Sequence, residues 1–535
     1  MRVADFFCGG GGFSEGFRQA GFDIVFAVDK WAPAVKTYKG NKPEVNVIQD
    51  DVIRISKLPD DDFEKLIPDS EVIIGSPPCQ SFSHSNKSGY ADKSLGIQLI
   101  EAYLRIIARK KYKKDSILRY WVLENVPGVK NYIKKEYTAA DLELDGEFVL
   151  RTQDGASGKY NAKYFGAPTN RERYLCGEFP KPIATNGDND VITLGKVLDS
   201  LGDPVGKDDG IITDINYPEL RLESQQVSDH HYIYELAEFE WKTSKRLKQD
   251  KGYMGKMAFP ENLDKPARTV MATMTASARE AMILGYGDGK YRLPTVREAA
   301  SMMSFPIDYR FYGESKGIKH TLVGNAVPPK MSYAVAKAIA LSAKEPILEH
   351  YPHIEYDNSI PFVDLNGESF EIKKEKTKRD VAKFKYHIPY LIIDRYRVEL
   401  TNYHSDFKKK KFIWNVEIHF SQGKEKRKVF SPPITRKDIP DVLHARIDSY
   451  IQKITYNLPT TCLLFQKCFC MTTEDRKAIE KLGPYELLDS VRKFLDDNIS
   501  KEDQVKEITI DKSFKLPYAI FVGYYILSRI VNLMQ

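Results

Sequence analysis

The chain has 535 residues, 42% of them hydrophobic and 29% charged, with a net charge of +6, so it is too long for a single ordinary core and two or three domains are expected. No apolar run approaches the length of a membrane span, the strand-like start leaves no room for a signal peptide, and the six cysteines are sparse and irregularly spaced, which together predict a reduced, cytoplasmic protein without membrane association. The positive excess is concentrated late: residues 346–535 hold 32 lysines and arginines against 27 acids, a weak pull toward polyanions.

In chain order, residues 3–7, 24–28, 45–48, 72–74 and 121–123 are short apolar runs that read as strands, while Ile97, Ile100, Leu104 and Ile107 recur at helical spacing. Such alternation predicts an α/β domain over residues 1–180, with a largely parallel sheet covered by helices on both faces. Residues 181–265 lose this rhythm and become polar, which marks a small inserted region. Regularity returns over 266–345, with helices expected at 296–304 and 332–344. Beyond residue 346 an alternating strand at 412–420, a hairpin partner at 428–430 and helices at 473–481 and 484–497 predict a further α+β domain reaching residue 535. Cys462, Cys468 and Cys470 lie among Leu463, Leu464, Phe465 and Phe469 with no histidine at ligand spacing; they read as a packed apolar segment and not as a metal site.

Four local patterns carry chemistry. Gly75-Ser-Pro-Pro-Cys-Gln-Ser-Phe-Ser83 sets Cys79 just past the end of an apolar strand, where ligands gather in open α/β sheets. The first strand runs into Asp5-Phe-Phe-Cys-Gly-Gly-Gly-Gly-Phe-Ser-Glu-Gly16. Its glycines permit close approach to a ligand, but Ser14 and Glu15 stand where a dinucleotide fingerprint needs its third glycine. With Asp29 and Asp51 ending the next two strands, the pattern describes a nucleoside ligand without a pyrophosphate, and S-adenosylmethionine is the candidate. Glu124 ends the strand at 121–123, on the same rim as Cys79; it reads as a catalytic carboxylate or as a helix-start charge. Arg171 and Arg173 alternate at a strand start, so both guanidiniums are expected on one face, suited to a phosphate or a carbonyl oxygen, or else as ordinary strand-edge charges.

Taken together, DFFCGGGG, GSPPCQSFS, ENVP, RER, LPTVREAA with SFP, and GNAVPP closely resemble, in order and spacing, the C5-cytosine DNA methyltransferase family over most of residues 1–345. The resemblance implies a Rossmann-like, S-adenosylmethionine-dependent methyltransferase sheet and methylation of a flipped-out cytosine in double-stranded DNA at a specific short sequence. It assigns Cys79 as the nucleophile that adds to the ring, Glu124 to the ring's N3, Asn125 to fixing that segment, Arg173 to the base's carbonyl oxygen, and Arg171 to site architecture and ring contacts. Phe7, Gly10, Gly12, Asp29, Asp51, Pro78 and Asn325 match the cofactor positions; the product is S-adenosylhomocysteine, and no metal is expected. Asp29 stands where the family usually has glutamate, and Thr169 and Met303 where glutamine is usual. The variable part, 181–265, matches the family's sequence-reading segment. Residues 346–535 match no family motif; basic clusters at 373–379, 408–411 and 424–428 among Tyr396, Tyr403, Phe407, Phe412 and Trp414 predict DNA binding. A cognate restriction endonuclease is the implied partner. The alternatives are a cytosine-5 methyltransferase of transfer RNA, and a fused nuclease using Asp364 with Glu371-Ile-Lys373.

Overall fold

The computed structural model describes residues 1–78, 82, 93–205, 210–250, 256–348, 350–420, 428–433, 439–510 and 514–535. Strands that are apolar at every position must be covered on both faces, and the first strand sets that pattern. In β1 (Arg2–Phe6) every residue after Arg2 is buried. It lies between β2 (Asp23–Asp29) and β4 (Val72–Gly75) in a seven-stranded sheet ordered β3-β2-β1-β4-β5-β10-β8, where β3 is Asn46–Gln49, β5 Tyr120–Asn125, β8 Gly158–Asn161 and β10 Glu172–Glu178. From β3 to β5 all pairings are parallel, while β10 runs antiparallel to β5 and β8 antiparallel to β10. The remaining strands of this stretch are short: β6 (Glu136–Thr138) pairs with β7 (Val149–Arg151), and β9 (Thr169–Asn170) pairs with Ala267–Arg268.

Helices cover both faces. On one side α1 (Gly12–Gln19) packs against the helix Pro329–Ala343, burying Phe13, Phe17, Val335 and Ile339 with Val3 and Ile74. On the other, the helix Ser94–Tyr112 supplies Ile100, Tyr103, Leu104 and Ile107 to a core with Phe6, Phe26, Ile73 and Trp121. The helix predicted at 332–344 thus starts earlier, at Pro329, whose fixed φ and missing N–H suit a first turn.

The chain divides into two compact units, Met1–Leu236 with Pro260–Ile372, and Ala237–Phe259 with Lys373–Gln535. This division departs from the sequence reading at two places. Residues 350–372 are a strap on the first unit, held by Tyr351 Oη donating to Asp308 at 2.8 Å, Asp357 N to the Gly40 carbonyl at 3.1 Å, and Leu365 N to Asp229 at 3.1 Å. The inserted region, in turn, is split: its helix Glu238–Gln249 belongs to the second unit, where Glu240 accepts Lys373 at 2.9 Å and Asp250 accepts the backbone N–H of Tyr390 at 2.8 Å.

The second unit is α+β, as expected. Lys385–His387, Tyr396–Thr401, Asn415–Phe420 and Lys428–Phe430 form an antiparallel four-stranded sheet. Trp414, Phe465 and Phe469 pack at its centre, together with the buried helix Tyr518–Asn532. Cys462, Cys468 and Cys470 lie buried on the helix Cys462–Cys470. No helix among the described residues is long and apolar enough to cross a membrane.

Asp5 is fully buried in the middle of β1. Burial pushes its carboxyl from 3.8 up to about 8, against the opposing pull of Ser14, Lys42 and Tyr38. Because the raised value belongs to the folded state, the fold holds an extra proton between those two pH values, and stability falls as pH rises through that window. Asp5→Asn should therefore raise the melting temperature at pH 8, by an amount on the order of a few kcal/mol of stability. It should change little at pH 4. Thermal melts at the two pH values test this, and a difference that does not depend on pH would refute it.

Candidate active site

Strand order reverses at β1, whose neighbours lead away in opposite directions, and ligands of open α/β sheets bind outside the carboxyl ends at such a point. Two loops leave the sheet there. From β1 the chain passes through Phe7, Gly9 and Gly11, all at positive φ (55°, 51° and 84°), into α1. From β4 it passes through Ser76, Pro77 and Pro78. The loops are joined, since Ser76 N donates to the Phe6 carbonyl at 3.2 Å and Ser76 Oγ to the Phe7 carbonyl at 3.1 Å.

The glycines are required for different reasons. A Cβ on Gly12 would stand 2.4 Å from the Val327 carbonyl, so only glycine lets the GNAVPP segment close over this turn. A Cβ on Gly9 would meet nothing within 4 Å, so the loop is open on that side. Asp29, ending β2, accepts Gly9 N at 2.9 Å and Trp31 N at 2.8 Å, and burial raises its carboxyl. Each of its oxygens keeps a lone pair for a ribose hydroxyl. Asp51, after β3, caps the short helix Val52–Ser56 through Ile53 N at 2.9 Å and pairs with Lys30 at 2.8 Å, which lowers its carboxyl. Pro78 and Asn325 are exposed and Phe7 half-buried. An open glycine turn flanked by two strand-end carboxylates fits a nucleoside ligand such as S-adenosylmethionine.

The second pole of the rim is built on β5. Its antiparallel register with β10 sets Glu124 opposite Leu175 and Asn125 opposite Tyr174. Glu124 is buried, with Oε1 2.9 Å from Arg173 Nε. Burial raises its carboxyl, while Arg173 and then Arg171 pull it down. Asn125 uses both ends of its amide: Nδ2 donates to the Pro77 carbonyl at 2.9 Å, and Oδ1 accepts Val126 N at 2.8 Å. One side chain therefore fixes the loop leading to Cys79 against the strand that carries Glu124. Cys79 itself lies outside the described residues. The other five cysteines are buried, and burial holds the thiols of Cys8 and Cys176 up, that of Cys176 at about 12, so neither is a ready thiolate.

The two arginines, expected on one face, are used differently. Arg171 lies between β9 and β10, and its guanidinium donates to the carbonyls of Val270 at 3.1 Å, Gly324 at 3.0 Å and Ala326 at 3.0 Å. Arg173 turns to Glu124. The residues of the nuclease-like pattern have other partners. Asp364 accepts the backbone N–H groups of Asp229 and Asn366, Lys373 pairs with Glu240, and no cluster of three or more His, Cys, Asp or Glu side chains suited to a metal occurs among the described residues.

Sequence reading missed the support beneath the glycine turn. Tyr309 Oη donates to the Gly10 carbonyl at 2.6 Å and accepts Lys42 Nζ at 3.2 Å, and Lys42 pairs with Glu15 at 3.0 Å, all buried. Tyr309 lies three residues past SFP, but nothing in its spacing links it to a loop 299 residues earlier.

Asn125→Ala removes the amide that positions the Cys79 loop. It should cost about 1–3 kcal/mol of stability through the unpaired Pro77 carbonyl and Val126 N–H. It should also lower kcat more than it raises KM for the methyl donor, because the glycine turn is untouched. Steady-state kinetics with a denaturant melt check this, and a variant with unchanged kcat would refute the positioning role.

The family profile of C-5 cytosine-specific DNA methylases matches residues 1–341. Among curated relatives, the type II methyltransferase M.MthTI of Methanothermobacter thermautotrophicus is 29% identical over 352 residues, covering 63% of this chain and 97% of that protein. The putative type II methyltransferase M.MJ0563P of Methanocaldococcus jannaschii is 30% identical over 357 residues, with 63% and 99% covered. The type II methyltransferase M.NgoPII of Neisseria gonorrhoeae is 27% identical over 350 residues, with 63% and 95% covered. The strand-end carboxylates, the glycine turn and the buried Glu124–Arg173 pair all lie inside the matched span, and the chain belongs to the C-5 cytosine-specific DNA methylase family.

Proposed function

We propose that the protein methylates the 5-carbon of a cytosine flipped out of duplex DNA, using Cys79 as a covalent nucleophile and S-adenosylmethionine as methyl donor. The observation that carries this reading is the buried Glu124, paired with Arg173 and joined through Asn125 to the loop that precedes Cys79. The glycine turn, Asp29 and Asp51 would hold S-adenosylmethionine, which would supply an electrophilic methyl for the 5-carbon and leave as S-adenosylhomocysteine.

The protein's residues make the 5-carbon a nucleophile. The Cys79 thiolate bonds to the ring's 6-carbon, and the electron pair of the 5,6 double bond moves to the 5-carbon. Glu124, whose carboxyl burial keeps raised, offers a proton to the ring's N3 and so draws off the charge that addition creates. Arg173 faces the base's carbonyl oxygen and holds Glu124 in place. Once the 5-carbon is methylated, loss of its proton to a base and expulsion of the Cys79 sulfur restore the double bond. Extruding the base costs on the order of a few kcal/mol, which contacts to the DNA offset. The relatives are named as type II methyltransferases, and a cognate restriction endonuclease is the partner this reading expects.

Incubation with labelled S-adenosylmethionine and either duplex DNA or transfer RNA tests the substrate, and label in the DNA alone is expected. Cys79→Ala should reduce transfer to background, and a duplex carrying 5-fluorocytosine at the target should become covalently linked to Cys79, as read by mass spectrometry. Activity that survives the substitution would overturn the mechanism, and label entering only the RNA would overturn the substrate.

A further inference from the structure

The second unit carries a surface with no role in the chemistry above. The strands Tyr396–Thr401 and Asn415–Phe420 are joined by residues 402–414, which are tightly organised. Asp406 and Lys411 exchange backbone hydrogen bonds at 2.9 and 3.0 Å, and the Asp406 carboxylate accepts Lys408 N at 3.1 Å and Lys409 N at 3.0 Å. Below this, Ser405 Oγ accepts Ile413 N at 2.8 Å and donates to its carbonyl at 3.1 Å. The result is a stapled turn whose exposed tip is Lys408, Lys409, Lys410 and Lys411. Beside it, Lys383 stands 5.7 Å from the ring of Tyr403 and 5.5 Å from that of Phe407, and Lys385 stands 5.6 Å from Tyr403, which is 53% exposed. Lys385 pairs with Glu399, and Lys410 with Asp380, at 3.3 Å each. Among the described residues no acid pairs with Lys383, Lys408, Lys409 or Lys411. Of the three basic clusters noted in the sequence, residues 424–427 lie outside the described residues. In the cluster at 373–379, Lys373 is engaged by Glu240.

We propose that the lysine-tipped turn at 408–411, with Lys383 and Tyr403 at its side, grips the phosphate backbone of the duplex DNA substrate. This rests on the proposed function for the presence of DNA. Four cations carried on a fixed backbone form a compact row of charge, as neighbouring phosphates require, and little backbone order is lost on binding. The tyrosine hydroxyl adds a donor of the kind that contacts phosphate and sugar without reading sequence. The surface therefore contributes affinity and orientation, and leaves the choice of target to other residues.

The test uses the full chain and a fluorescein-labelled duplex of about thirty base pairs (roughly three helical turns), with binding read by anisotropy across a salt series. Lys408→Gln, Lys409→Gln and Lys411→Gln combined should weaken binding on the order of tenfold or more near physiological salt. The log–log salt slope should become shallower by about 2 to 3, at roughly 0.9 per lost phosphate contact. KM for DNA should rise, while KM for S-adenosylmethionine and the melting temperature stay unchanged. Arginine at the same three positions should retain wild-type binding, since charge and not side-chain identity carries the contact. Unchanged affinity and slope in the glutamine variant, with a wild-type chain that methylates duplex DNA, would overturn this surface and leave the function standing. Loss of binding in the arginine variant as well would overturn it too. A wild-type chain that neither binds nor methylates duplex DNA would overturn both.

Discussion

The guanidinium of Arg171 donates to carbonyls 99 to 155 residues further along the chain, and much of the first unit depends on that contact. The sheet is complete by Glu178, yet the segment that packs on the glycine turn arrives only near residue 326. A buried cation that satisfies three backbone acceptors fixes the returning chain at the sheet's rim. Leaving those carbonyls unpaired in a buried setting would cost on the order of 1–3 kcal/mol each. An arginine, with five donors in a rigid fork, is the side chain able to serve all three.

A second buried cation does comparable work beneath the glycine turn. Lys42 lies between the rings of Tyr38 and Tyr309 and reaches Glu15. Burying such a pair costs desolvation that Coulomb attraction repays only with good geometry and further hydrogen bonds. Those bonds are present. Glu15 also accepts Arg18 and Gln19, at 2.8 and 2.9 Å, and the chain of contacts ends on the Gly10 carbonyl. A glycine-rich turn has no side chains with which to hold its own shape, and this neighbouring network supplies the stiffness.

The parallel core was legible because its strands are apolar runs and the helix Ser94–Tyr112 carries apolar residues at helical spacing. The positions of Glu124 and Asp29 were legible because each follows directly on such a run, and that of Asp51 because it lies shortly after the third. What escaped had no periodic signature. The strap at 350–372 is held by single hydrogen bonds to Asp308, Gly40 and Asp229 and by scattered ring contacts such as Phe362 on Tyr312, and isolated contacts of this kind leave no pattern in a sequence. The helix Glu238–Gln249 is polar over most of its length and sits in a region that reads as one insertion, so its membership of the second unit shows only in space. Their alternation put the two arginines on one face, and only the family resemblance gave them different roles. Arg171 falls in the break between β9 and β10, and that break, which alternation does not show, turns the two guanidiniums to different partners.

The second unit is discontinuous in sequence, which bears on how the protein is made. The chain enters it at Ala237, leaves after Phe259 and re-enters at Lys373. At ordinary rates of synthesis the helix Glu238–Gln249 leaves the ribosome on the order of ten seconds before the segments that surround it. During that interval Arg246 waits for the carboxylate of Asp489 and Asp250 for the backbone N–H of Tyr390, and the first unit must complete around a segment it does not keep. Maturation of this protein is therefore ordered in time, with the early helix waiting for the later segment Lys373–Gln535.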